Sequence, residues 1–311
     1  MESIFLNALG STRKRFSLPI LAVGLILGGC SDNSARDGKK IVVCTTTMIH
    51  DIGKILAEDK LDIRGIMKAG EDPHIYELKP HDTKLIIEAD LILMNGLHLE
   101  SQMGHVIKQK AQGKVVRLAQ DPRIHTLGSE NQHGAPDPHC WFNPDYFKVY
   151  VEKARDALAE VDPDNAHTYK IRAEAYLREL DELHAWGRKA IAEIPQERRV
   201  LVTSHDAFQY FGQAFRIEVA AIGGISTETD PAPQDRLKLE ALVRERGTKA
   251  LFIETSVRDA LNTMIKQIAE DTGAKIGGKL YSDSLGKPGG GADTYLTMLK
   301  HNLTTVIEAL R

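Results

Sequence analysis

Three histidines and one aspartate in this chain stand in settings that suit metal ligation. They occur in Gly70-Glu71-Asp72-Pro73-His74, in Asp137-Pro138-His139-Cys140-Trp141, in Thr203-Ser204-His205-Asp206-Ala207-Phe208 and, for Asp283, in Leu280-Tyr281-Ser282-Asp283-Ser284-Leu285-Gly286. The chain holds 12 histidines, and these three are set apart by their neighbours. Asp-Pro-His occurs twice. Proline fixes its own φ and keeps the preceding residue extended, so each of those imidazoles is presented on a stiff turn. A carboxylate close in sequence can accept a ring N–H and decide which nitrogen faces a metal.

Bringing four such side chains together is a task for the secondary structure between them. Short β-branched runs alternate with helix-length segments. Strands are expected at Ile41–Thr46, Leu61–Met67, Leu91–Met94, Val115–Leu118, Arg199–Thr203, Ile217–Ala220, Ala250–Ile253 and Lys275–Gly278, with helices near Ile49–Glu58 and Asp82–Ala89. Strands separated by helices imply parallel βαβ units, hence an α/β fold with helices on both faces of its sheets. At least three of the four positions are expected within a few residues of a strand's C-terminal end, the edge where open α/β sheets bind ligands. Two positions come from each half of the chain.

Between the halves the texture changes. From Asp164 to Ile194 there is no proline, and the one glycine is Gly187. Tyr169, Ala173, Tyr176, Leu177, Leu180, Leu183, Trp186 and Ile191 recur at helical spacing between Pro163 and Pro195. A helix of about 30 residues would span roughly 45 Å and could join two lobes as a beam. Two helices broken near Gly187 are the alternative; the continuous beam is preferred. The expected organisation is an N-terminal α/β lobe over 39–163, a linking helix over 164–194 and a C-terminal α/β lobe over 195–311.

The N-terminus fixes the compartment. Arg13, Lys14 and Arg15 precede an apolar run from Phe16 to Gly29 that ends in Leu27-Gly28-Gly29-Cys30. Basic residues, an apolar stretch, small residues and a cysteine make a secretory signal closing in a bacterial lipoprotein box. The run is short for a membrane span, which needs roughly 20 apolar residues. Residues 1–29 are therefore read as a removed signal peptide, Cys30 as the lipid attachment point and 30–38 as a polar tether. The protein is expected outside the cytoplasm on a membrane surface. With 43 acidic against 40 basic residues the net charge is −3, and losing the basic leader makes the chain more acidic still. No basic footprint for nucleic acid is present. Cys44 and Cys140 can form one disulfide at most, and isolated buried thiols are the preferred reading.

These residues resemble a known family, the TroA-like extracytoplasmic substrate-binding lipoproteins of zinc and manganese ABC transporters. The matching stretches are Asp72–Tyr76, Asn95–Glu100, Asp137–Phe142, Leu201–Phe211, Phe252–Ser256, Leu280–Gly286 and Thr294-Tyr295, in order along nearly the whole mature chain. The resemblance implies two α/β lobes joined by one long helix, with a metal in the cleft between them. By motif position it places the ligands on His74, His139, His205 and Asp283. Manganese-selective members usually carry Glu at the third position, where this chain has His205. Zinc-uptake members often have a long histidine-rich loop, but here the region before His139 holds only His125 and His133.

Three imidazoles and one carboxylate make a closed four-coordinate set suited to Zn²⁺, whereas Mn²⁺ prefers more oxygen and more ligands. Zinc is the preferred cargo, with manganese and then iron as alternatives. Affinity is expected to fall as pH drops through roughly 6.5, where imidazoles protonate. Glu254 is read either as an acceptor behind a ligand or as a buried hydrogen-bonded carboxylate. His50 and Asp51 are read as cleft-rim residues, His81 and His98 as surface or packing groups. Cys140 is not read as a ligand, because adjacent residues on an extended segment point in opposite directions. The expected function is a monomeric, non-enzymatic receptor that captures a divalent metal and passes it to an ABC permease. A secreted zinc hydrolase is a weaker reading, since no His-Glu-x-x-His helix, Gly-x-Ser-x-Gly elbow or P-loop is present. A surface adhesin active in cell adhesion is the third.

Overall fold

Alternation along the first strand decides where the chain's apolar surface goes. In β1 (Ile41–Cys44), Val42 and Cys44 face one apolar cluster, while Ile41 and Val43 face another on the opposite side. The third strand, β3 (Leu91–Met94), repeats this: Leu91 and Leu93 point one way, Ile92 and Met94 the other. Successive side chains leave a strand on opposite faces, so a continuous apolar run is buried only when both faces are covered. All residues of these two strands are buried, and they are the central pair of the sheet.

The computed structural model describes residues 38–128 and 136–311. The leader, Cys30, residues 30–37 of the tether and His133 lie outside the described residues. In the first half, β2 (Asp62–Gly65) and β4 (Lys114–Arg117) flank the central pair in the order β2-β1-β3-β4, all parallel, with Val42 opposite both Ile63 and Leu91. The helices α1 (Thr47–Ala57), α2 (Pro80–Glu88) and α3 (Ser101–Lys110) connect these strands, and α4 (Pro144–Val161) follows them.

In the second half β5 (Val200–Thr203) pairs in parallel with β6 (Glu218–Ala221), and β7 (Ala250–Glu254) with β8 (Lys275–Leu280). β5 runs beside β7. The connecting helices are α6 (Gln209–Phe215), α7 (Pro233–Arg246) and α8 (Asp259–Thr272), and α9 (Tyr295–Leu310) closes the chain. Leu201, Ala250 and Phe252 face the large cluster shared with the first half, whereas Val200, Val202 and Leu251 face a separate one with α7 and α8. The fold is thus α/β, with parallel sheets flanked by helices. Every strand read from the sequence is present, with ends displaced by at most two residues.

The helix α5 spans Ala166–Ala192, 27 residues, about 40 Å at 1.5 Å per residue. Its buried positions are Tyr169, Ala173, Tyr176, Leu180, His184, Gly187 and Ile191, a single stripe at spacings of three and four. That stripe packs on α1 and α4 from the first half and on α6 and α9 from the second. The helix runs unbroken through Gly187. A Cβ there would meet Leu303 Cδ1 and Phe215 Cε1 at 2.8 Å, so the glycine allows close approach rather than ending the helix. Trp186 falls off the stripe and is 40% exposed. Cys44 and Cys140 are both free and buried.

Candidate metal centre

The sheet edges deliver two of the four sequence-marked side chains directly. His205 lies two residues past β5, and Asp283 three past β8. The other two correct the expectation of at least three strand-end positions. His74 lies nine residues beyond β2, and His139 is far past β4, just before α4. These two need their Asp-Pro turns because no strand end aims them.

All four converge. His74, His139, His205 and Asp283 are buried, and each offers one donor atom within 4.8 Å of the others. His74 Nε2 lies 3.3 Å from His139 Nε2 and 3.9 Å from Asp283 Oδ2. His139 Nε2 is 3.4 Å from Asp283 Oδ1, and His205 Nε2 is 3.1 Å from Asp283 Oδ2. A tetrahedron with metal–ligand bonds of about 2.0–2.1 Å has edges of roughly 3.3 Å, so this donor set is spaced for one small four-coordinate ion. His205 Nε2 and both Asp283 oxygens have no hydrogen-bond partner despite their burial. Unsatisfied buried polar atoms are costly, and a cation at the centre would satisfy them together.

Carboxylates behind two of the rings fix their orientation. Asp137 Oδ1 accepts the backbone N–H of His139 at 2.9 Å and lies 2.7 Å from its Nδ1. Glu254 treats His205 in the same way: Oε1 accepts the backbone N–H at 2.8 Å, and Oε2 lies 2.5 Å from Nδ1. Each carboxylate engages Nδ1 and leaves Nε2 facing the centre. Glu254 is therefore more than a buried carboxylate; it orients a cluster member.

Electrostatics follow from these partners. Burial pushes the His139 imidazole down, but Asp137 and Asp283 outweigh it and raise the pKa to about 9. His205 is likewise raised well above the ordinary imidazole value, since Glu254 and Asp283 overcome its burial. His74 has no carboxylate behind it, and burial takes it down to about 3, against a partial lift from Asp283. Asp283 is held well below the usual carboxylate range, its burial offset by the His205 and His139 rings. The surrounding carboxylates thus favour the protonated form at two of the rings, while burial disfavours it at the third.

Several supports are not among the site residues read from the sequence, although Asn95, Glu100, Tyr210 and Ser256 lie in stretches that carry the family resemblance. Asn95 donates from Nδ2 to the Pro138 carbonyl at 3.0 Å and accepts from Tyr150 Oη at 2.6 Å, bracing the turn before His139. Glu100 holds that loop by accepting from Thr45 Oγ1, Asn95 N and Gly96 N. Tyr210 Oη, on α6, donates to the Asp137 carbonyl at 2.9 Å. Ser256 Oγ accepts from the Asp283 amide at 2.9 Å. A strand-end histidine can be noticed in sequence, whereas a lone Asn or Tyr acquires its role only when folding brings a partner.

The remaining candidates lie elsewhere. Asp51 is engaged at α9, where its Oδ2 accepts the Tyr295 amide at 2.8 Å. His50 is half-buried, and His81 and His98 are exposed. Cys140 Sγ is 3.8 Å from the Asp137 carbonyl and is not among the four clustered donors.

The model of the ZnuA family, described as zinc-uptake complex component A, periplasmic, matches residues 42–309. The chain belongs to the ZnuA family. Among ZnuA-like relatives, it is 34% identical over 304 residues to the zinc-binding protein TroA of Treponema pallidum, covering 96% of this chain and 99% of that one. It is 33% identical over 299 residues to the manganese-binding lipoprotein MntA of Halalkalibacterium halodurans, covering 95% and 98%. The solved structure of T. pallidum TroA superposes with a TM-score of 0.83 at 36% identity, over 88% of this chain and 99% of that one. The manganese-bound periplasmic metal-binding protein of Candidatus Liberibacter asiaticus gives 0.80 at 30% identity, over 88% and 100%.

Proposed function

We propose that this ZnuA-family chain is an extracytoplasmic receptor that binds one divalent metal ion through His74, His139, His205 and Asp283 and delivers it to an ABC permease, with zinc as the preferred ion. The observation that carries this reading is the convergence of four buried donors within 4.8 Å. Four side chains fill a tetrahedral shell and leave no vertex for a reacting water, which supports carriage rather than hydrolysis. Residues 39–163 and 195–311 form the two lobes and 164–194 the connection. Two donors come from each lobe, so a bound ion ties the lobes together and release requires their separation.

The surrounding expectations complete the reading. Residues 1–29 are the leader, and Cys30 carries lipid, in keeping with relatives named as lipoproteins. Among the described residues, no helix is long and apolar enough to cross a membrane. The receptor acts as a monomer. Manganese is the second reading, favoured by the relatives named for it.

Metal analysis of protein purified without added metal, followed by competition between Zn²⁺ and Mn²⁺, tests both. The expected result is one ion per chain, with zinc displacing manganese. Manganese displacing zinc would reverse the choice of cargo, and binding of neither would overturn the receptor reading.

A further inference from the structure

The three imidazoles are not held alike. His139 and His205 each have a carboxylate on Nδ1, but His74 has none there among the described residues. What holds His74 is its own turn. Asp72 Oδ1 accepts the His74 backbone N–H at 2.9 Å, closing the Asp-Pro-His segment on itself. The other oxygen of the same carboxylate, Oδ2, accepts a hydrogen bond from Thr227 Oγ1 at 2.6 Å. Thr227 lies between β6 and α7 in the second half of the chain and is 1% exposed. Its neighbour Glu228 joins the same place: Ser101 Oγ is 3.1 Å from both the Glu228 carboxylate and the His74 carbonyl.

We propose that Thr227 is a positioning residue for metal capture, holding Asp72 so that the turn carrying His74 is fixed with its ring in the donor cluster. The proposal rests on the metal-binding reading above. A carboxylate that shares its two oxygens between a backbone amide and a hydroxyl is held at both ends, and the turn it shapes loses its freedom to swing. The seating of His74, a residue of the first half, thereby depends on a hydroxyl from the second half. When the 226–228 segment draws away, Asp72 loses one of its two anchors and His74 becomes the ring freest to leave. Release of the ion begins at His74, because the other two imidazoles keep carboxylates supplied from beside them.

The test is the rate at which zinc leaves, followed by chelator capture after rapid mixing. Thr227→Val keeps the shape of the side chain and removes the hydroxyl; the zinc off-rate should rise about tenfold, as for loss of a hydrogen bond to a charged group, with the on-rate unchanged. Thr227→Ser, which keeps the hydroxyl, should restore slow release. In a His74→Ala background Thr227→Val should add no further acceleration, because the ring it positions is gone. A merely structural role would instead give additive effects and a lower melting temperature of the metal-free chain. Thr227→Ala serves the same comparison if valine prevents folding. Wild-type protein that binds zinc alongside a Thr227→Val protein with unchanged release would overturn this inference alone, as would additivity with His74→Ala. Wild-type protein that binds no zinc would overturn the receptor reading itself.

Discussion

Glu254 holds His205 at two points, taking its backbone N–H at 2.8 Å and lying 2.5 Å from its Nδ1. The backbone of Glu254 is fixed in turn. Asn262 Oδ1 accepts the Glu254 amide at 2.9 Å, and its Nδ2 donates to the Glu254 carbonyl at 2.8 Å. The side chain that aims the ring therefore projects from a braced strand end.

Replacing Glu254 with Gln tests that relationship. The amide can still accept the His205 backbone N–H, but its NH₂ then faces Nδ1 and favours the tautomer with the proton on Nε2, the nitrogen facing the donor cluster. Metal affinity should fall by about 10- to 100-fold, the usual cost of losing such a partner. Competition against a chelator of known affinity measures it. A loss of less than about threefold would show that Glu254 does not govern the ring.

Much of this arrangement was legible in the sequence, for identifiable reasons. The apolar runs of β1 and β3 announce buried parallel strands, and the three-four spacing from Tyr169 to Ile191 announces one long stripe. Asp-Pro-His repeated twice marks stiff turns with a ligand-type ring. The strand order could not be read, since β1 and β3 carry similar residues and pairing depends on non-local contacts. Trp186 matched the helical spacing yet lies outside the stripe, because a helix stripe is narrower than the set of positions that loosely fit it. The partner of Asp51 could not be read either, since it is the Tyr295 amide, 244 positions away. Thr227 had no local signal, and the stretch Leu201–Phe211 gave no hint of what Tyr210 does, because each bonds to a group distant in the chain.

Asp51 also makes a prediction about stability. Burial raises its carboxyl to about 6 against the Tyr295 hydrogen bond, which lowers it. A raised pKa in the fold means that the unfolded chain ionises first as pH rises. Stability should therefore be lost between about pH 4 and pH 6, by on the order of 2 kcal/mol. Asp51→Asn can still accept the Tyr295 amide and removes this charge. Thermal unfolding across pH 4 to 7.5 should show the variant flatter with pH and melting several degrees higher at pH 7.5. A variant that melts lower at neutral pH would mean the ionised carboxylate stabilises the start of α9.

Gly187→Ala tests the packing of the long helix. Alanine favours helix over glycine by about 1 kcal/mol, while the added methyl would overpack against Leu303 and Phe215 at a cost of about 1–3 kcal/mol. A net loss of about 1 kcal/mol is expected by urea denaturation. A gain would show that α5 has room at this crossing.

X-ray absorption at the zinc edge of the loaded protein tests the four-donor site most directly. About four nitrogen and oxygen neighbours near 2.0–2.1 Å are expected, with the outer-shell scattering of three imidazole rings. A sulfur neighbour at about 2.3 Å, which only a cysteine thiolate such as Cys140 would supply, or a six-coordinate oxygen shell would contradict it.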